Sequence, residues 1–159
     1  MRKPLVVTAK SSADTEAFGA RLAEALPDLA QAGAIVHLAG ELGAGKTTLV
    51  RGLLRALGIA GTVRSPTYTL TEIYDTDRAT VVHVDLYRLR DPTELDVLGL
   101  RELHRPGHLW MVEWPERGAG RLPDADLYIE LTAQAAAHHL RVEARSPLGA
   151  AWVRRLRGS

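Results

Sequence analysis

Gly40, Gly45, Lys46 and Thr47 stand at a spacing that can hold a phosphate, within the run Gly40-Glu41-Leu42-Gly43-Ala44-Gly45-Lys46-Thr47. Each residue type has a physical reason to be there. Glycines permit backbone dihedrals that a Cβ forbids, so successive N–H groups can curl round an anion. Lys46 supplies a point charge for the β and γ phosphates, and the Thr47 hydroxyl can ligate magnesium. A helix starting here points its positive end at the same anion. A chance match in a chain of this length has a probability of roughly 0.5% when glycine is about 7% of residues. The run is therefore read as a site for a nucleoside triphosphate with magnesium. Its candidate contacts are Leu42, Gly43, Ala44, Gly45, Lys46, Thr47 and Thr48.

Such a loop needs an acid at the end of a nearby strand to orient the metal. Two apolar runs end on one: Val81-Val82-His83-Val84 on Asp85, and Leu109-Trp110-Met111-Val112 on Glu113. Both carboxylates would emerge at the carboxyl edge of a sheet, where ligands sit in open α/β folds. The residues alone do not choose between them. Tyr68, Tyr87 and Trp114 read either as core aromatics or as a stacking surface for a base. None of the six histidines falls in a His-x-x-x-His pair with a glutamate between. His83, on a buried strand, reads as a satisfied core residue. With no cysteine in the chain, thiolate metal sites and thiol nucleophiles are excluded.

The elements that would position these residues follow from periodicity and punctuation. Leu5–Thr8 reads as a short strand. Ser11 or Ser12 caps a helix with Ala17, Leu22, Ala25 and Leu26 inward, ended by Pro27. Ala34–Ala39 is an apolar run of strand length, and Lys46–Leu57 a helix with Gly58 just past its end. Pro66 begins an extended segment that alternates through Ile73. Ala79–Val84 and Leu109–Val112 are further strands. Asp91, Pro92 and Glu94 form the start of a short helix. Asp126–Thr132 and His139–Ala144 alternate like an antiparallel hairpin, and Pro147–Leu156 makes a last helix with Leu148, Trp152 and Leu156 inward. The fold class expected is α/β, a three-layer P-loop domain with a mixed, partly antiparallel sheet.

At 159 residues the chain has the size of one domain, so 1–159 is taken as a unit that includes the basic tail helix, about 147–157. Apolar residues make up 46%, enough for a core without staples. Leu5–Val7 is too short for a signal or membrane segment, so a cytoplasmic protein with no membrane contact is expected. A net charge of +1 gives no global signal for a polyanion. Arg154-Arg155-Leu156-Arg157 reads as a solvated helix end.

Four blocks together resemble one family. Gly40–Thr48, Ser65-Pro66-Thr67-Tyr68-Thr69-Leu70, His83-Val84-Asp85-Leu86-Tyr87-Arg88-Leu89 and Glu113-Trp114-Pro115-Glu116 occur in the order and spacing of the TsaE (YjeE) family, bacterial ATPases of tRNA threonylcarbamoyladenosine formation. The resemblance runs from about Ser12 to about Leu156. It implies that Thr47 and Glu113 ligate magnesium, and that Asp85 lies near the γ-phosphate and orients water. It implies that Thr67 approaches the phosphates on a mobile segment and that Trp114 senses nucleotide state. Ser12 and Thr15 match a region near the nucleoside. A family arginine by the last hairpin falls on His138 here, with Arg141 nearby. The implied ligands are ATP and Mg2+, and the implied partners are TsaB and TsaD, with tRNA met only through that complex. Lys46, Asp85 and Glu113 are then the catalytic candidates, in an ATPase that is weak alone.

Three other readings compete. A small-molecule kinase would use Asp85 as general base, but it normally needs an arginine-rich lid, and Arg88, Arg90, Arg101 and Arg105 are scattered. A GTPase could use Asp96-Val97-Leu98-Gly99 as a D-x-x-G motif, yet no Asn-Lys-x-Asp motif for guanine exists. The last is an interaction protein that binds nucleotide without turnover.

Overall fold

The computed structural model describes residues 3–66 and 70–159. The apolar runs become strands: β1 Leu5–Ala9, β2 Ala34–Ala39, β3 Thr71–Asp75, β4 Thr80–Asp85, β5 His108–Glu113, β6 Leu127–Gln134 and β7 Ala137–Ala144. The amphipathic stretches become α1 Ser12–Glu24, α2 Lys46–Ala56 and α3 Pro147–Arg157. Among the described residues the strands form one sheet in the order β1-β7-β6-β2-β5-β4-β3. β2 is parallel to β5 and to β6, and β4 is parallel to β5. β3 and β7 run against their neighbours, which makes the sheet mixed as expected.

Period-two alternation sorts the strand residues between two cores. On one face Val36, Leu38, Val81, Leu109, Met111 and Ile129 pack with Phe18 and Leu22 of α1, Leu49 and Leu53 of α2, and Trp152 of α3. On the other face Ile35, Val82, Val84, Trp110 and Val112 pack with Leu95 and Leu100. This second outer layer is built from 3₁₀ turns at Pro92–Asp96, Leu100–Leu103 and Pro115–Gly118, not from α-helices. The first of these has the full capping box expected from Asp91 and Glu94.

Ser11 caps α1, its side chain accepting from the Asp14 N–H. The inward face of α1 is Thr15, Phe18, Gly19, Leu22 and Ala23. Ala17 is exposed, contrary to the expectation, because Phe18 one residue on takes the core position. β3 begins only at Thr71; the part of the expected strand at 67–69 lies outside the described residues. α1 and α2 cross where glycine faces backbone. A Cβ on Gly19 would meet the Leu49 carbonyl oxygen, and one on Gly52 would meet the Glu16 carbonyl oxygen. Bare backbone at both positions sets the close approach of the two helices.

Candidate functional site: a phosphate loop beside a buried carboxylate

The chain leaves β2 at Ala39 and turns through Gly40, Gly43 and Gly45, with φ of 152°, 77° and 104°. Gly45 occupies the N-cap of α2 in the left-handed region, so the helix starts with its N–H groups facing the turn and no side-chain cap across them. Lys46 follows and is only 5% exposed. Its Nζ donates to the carbonyls of Gly40 at 2.5 Å and Glu41 at 2.9 Å, and sits 4.3 Å from the centre of the Trp114 ring. Burial lowers the Lys46 pKa from its ordinary value, opposed by the charges of Glu113, Asp85, Glu116 and Glu41.

The parallel pairing of β4 and β5 sets Asp85 directly beside Glu113. Glu113 is 2% exposed. The Thr47 hydroxyl faces both of its oxygens, at 3.1 Å from Oε1 and 3.0 Å from Oε2. Ser65 Oγ lies 3.2 Å from Oε2 and 2.5 Å from Thr47 Oγ1. His83 Nε2 lies 2.6 Å from Oε2. Asp85 accepts the Tyr87 N–H at 2.9 Å. Its carboxyl is pushed above the ordinary aspartate value, first by burial and further by the Glu113 charge. Hydrogen bonds from Tyr87 and Ser65 and the charge of His83 oppose the rise.

These residues fit magnesium. Among the described residues no group of three His, Cys, Asp or Glu could hold a metal unaided. Magnesium does not ask for one, since it is usually held by one or two carboxylates together with phosphate oxygens and water. The Thr47–Glu113 separations match the edge of an octahedron with bonds of 2.0–2.1 Å, which is about 2.9 Å.

A cavity of about 460 Å³ opens over the loop, within the size range of ligand pockets. Ser12, Thr15, Leu42, Gly43, Gly45, Lys46, Thr47, Thr48, Asp85, Glu113, Trp114 and His138 all line it. Ala44 does not. Its side chain is buried in the core and its N–H donates to the Glu41 carbonyl. Thr67 lies outside the described residues. Arg141 points away from the cavity toward Glu143, at 3.4 Å. Asp96 of the D-x-x-G run is paired with Arg121 at 2.7 Å on the far face, away from the loop.

Ser65, Pro66, Tyr87 and Arg88 also line the cavity. From the sequence Ser65 and Pro66 have no site role, Tyr87 reads as either a core or a stacking aromatic, and Arg88 is one of four scattered candidates for a lid. Arg88 thus separates from Arg90, Arg101 and Arg105, which do not line it. The reading of His83 as an ordinary core residue needs correction as well. It is fully buried, but among the described residues its bond goes to Glu113 and its Nδ1 has no hydrogen-bond partner. The available signal was its place two residues before Asp85, which puts both side chains on one face of β4.

Trp114 closes the site at φ 60° and ψ 49°, a left-handed conformation that is rare for a bulky residue. Its ring meets Tyr87 at 5.0 Å between centres, and the Arg117 guanidinium lies 5.6 Å from it.

A glycine loop between a parallel strand and a helix, with a buried hydroxyl–carboxylate pair beside the loop lysine, defines a P-loop nucleotide-binding protein. Residues 9–142 match the family model described as threonylcarbamoyl adenosine biosynthesis protein TsaE, and the chain belongs to the TsaE family. It is 44% identical over 133 residues to the tRNA threonylcarbamoyladenosine biosynthesis protein TsaE of Haemophilus influenzae, covering 83% of this chain and 84% of that one. The protein of the same name from Treponema pallidum is 36% identical over 122 residues, covering 77% and 87%. The crystal structure of Bacillus subtilis YdiB superposes with a TM-score of 0.80 at 28% identity, over 99% of this chain and 97% of the other.

Proposed function

We propose that this chain is a magnesium-dependent ATPase serving the formation of N6-threonylcarbamoyladenosine in tRNA, and that it acts on a complex of TsaB and TsaD. The observation that carries the ATPase reading is the convergence of Lys46, Thr47, Asp85 and Glu113 on one cavity. The names of its relatives supply the tRNA pathway. In this reading the N–H groups at the start of α2 and Lys46 hold the phosphates, while Ser12, Thr15 and His138 border the nucleoside. Thr47 and Glu113 would hold magnesium, which would supply charge neutralisation to the phosphates. Asp85 orients the attacking water. Residues 1–159 act as one cytoplasmic domain; among the described residues no helix is long and apolar enough to cross a membrane.

Turnover by the isolated chain is slow in this reading. Arg88, the one arginine among the described lining residues, is exposed and holds no ion pair with a described residue. Among the described residues no contact therefore fixes a guanidinium over the place of the transferred phosphoryl, a part that accelerates related enzymes strongly. Binding to TsaB and TsaD is proposed to complete the site.

The test is reconstitution with TsaB, TsaD and tRNA, counting modified tRNA per complex. Wild-type chain supports repeated rounds, and Lys46→Ala lowers ATP turnover in the complex by on the order of 100-fold. Undiminished modification with Lys46→Ala would reject the reading. ADP release that rises with small alcohols or nucleosides, and not with TsaB and TsaD, would instead make the chain a kinase.

A further inference from the structure

His83 is an expensive choice for a core position. It is fully buried on β4, between β3 and β5. Its Nδ1 has no hydrogen-bond partner among the described residues. A valine or leucine would fill the space without leaving a polar atom unsatisfied. Its immediate strand neighbours Val82 and Val84 are of that kind. What the imidazole adds is one contact, Nε2 to Glu113 Oε2 at 2.6 Å. An ionised carboxylate only accepts, so the imidazole N–H is the donor.

The two oxygens of Glu113 are unequally held. Oε2 meets His83 at 2.6 Å, Thr47 at 3.0 Å and Ser65 at 3.2 Å, whereas among the described residues Oε1 meets Thr47, at 3.1 Å. The ring is fully buried, and the backbone that carries it is held in register with Glu72 on one side and Met111 on the other. We propose that His83 is a positioning residue that anchors Oε2 of Glu113 and thereby presents Oε1, beside Thr47 Oγ1, to the magnesium ion. Carboxylates that ligate metals are commonly held this way, and loss of the outer partner typically weakens metal binding 10–100-fold. The inference rests on the proposed role of Thr47 and Glu113 as ligands.

Manganese can stand in for magnesium and be counted by electron paramagnetic resonance as it binds the protein–ADP complex. His83→Phe keeps the bulk and removes the donor. Its manganese affinity is expected to fall by about 10–100-fold, with ADP affinity in EDTA unchanged. His83→Gln, whose amide reaches about as far as the imidazole Nε2, is expected to restore metal affinity. Folded His83→Phe with wild-type manganese affinity would overturn the assignment. So would equal losses of ADP binding with and without metal, or a His83→Gln as weak as His83→Phe. If His83→Phe does not fold, His83→Asn removes the reach without added bulk, and the same outcomes decide. If neither folds while His83→Gln does, the contact is structural and the assignment fails. Wild-type protein that binds no manganese in the presence of ADP would reject the ligand roles of Thr47 and Glu113 themselves, a result distinct from any of these.

Discussion

Trp114 is held in a costly backbone conformation with its ring against a buried ammonium. A left-handed φ of 60° costs a bulky residue about 1–3 kcal/mol. Neighbouring contacts hold it there: the N–H of Trp114 donates to the Leu38 carbonyl at 3.3 Å, and Lys46 Nζ lies over the ring. A phosphate drawing Lys46 off the ring would change the surroundings of the indole. The other two tryptophans are insulated, since Trp110 and Trp152 are buried in the two cores with their indole N–H groups bonded to the Leu103 and Leu22 carbonyls. Adding ATP is therefore expected to change the intrinsic fluorescence, and Trp114→Phe to abolish the change. A response that persists in Trp114→Phe would show that the signal comes from a core rearrangement. At this scale much of the site was legible. A phosphate loop is contiguous, so its spacing carries its chemistry. The link between His83 and Glu113 was not legible, because it depends on the register of two strands that lie far apart in sequence.

The helices and strands carry two further predictions. Gly52 lets α2 approach α1 until its own Cα stands against the Glu16 carbonyl. Gly52→Ala must push the helices apart, and a loss of about 1–3 kcal/mol is expected in urea unfolding. Alanine at an ordinary helical position would stabilise by up to about 1 kcal/mol over glycine, so the sign of the change is the test. On β2, His37 faces the 3₁₀ layer. Burial, assisted by the Arg145 charge, lowers its pKa to about 4, against opposing effects from Asp124, the Pro123 backbone and Asp126. A depressed histidine pKa means that the fold favours the neutral ring. Its contribution to stability is complete above the unfolded value of about 6.5 and is lost as pH falls from there toward 4. The melting temperature is expected to drop across that window, with a shallower drop in His37→Gln. Identical slopes for the two proteins would show that His37 does not contribute. The elements themselves were legible where periodicity was strong, as in β2, α2 and α3. In the 3₁₀ layer only the turn begun by Asp91 was legible, from its capping residues; the other two were not, because turns of four residues are too short to show a period. Ala17 was misplaced for a related reason: alanine is apolar enough to suit either side of a helix, and Phe18 outcompeted it for the core.

Across the whole molecule the sheet places two kinds of wall round one cavity. The class of sheet could be inferred from a loop-and-helix start followed by an alternating hairpin. The strand order could not, since it requires β5 to insert between β2 and β4 across long crossovers. That insertion brings Glu113 between the loop and Asp85. The glycine contact between α1 and α2 has a mechanical meaning at this scale. α1 carries Ser12 and Thr15, and α2 grows directly from Gly45 and Lys46. Because backbone touches backbone where they cross, and Arg51 is paired to Glu16 at 2.5 Å beside that crossing, the helices have no slack for sliding. In the proposed binding mode the two ends of a nucleotide would thus meet a single rigid jaw. In that mode, opening and closing over ATP would be expected of the opposite jaw, the ends of β4 and β5 with Tyr87, Arg88 and Trp114. A partner that sets the pace of release would have to press there.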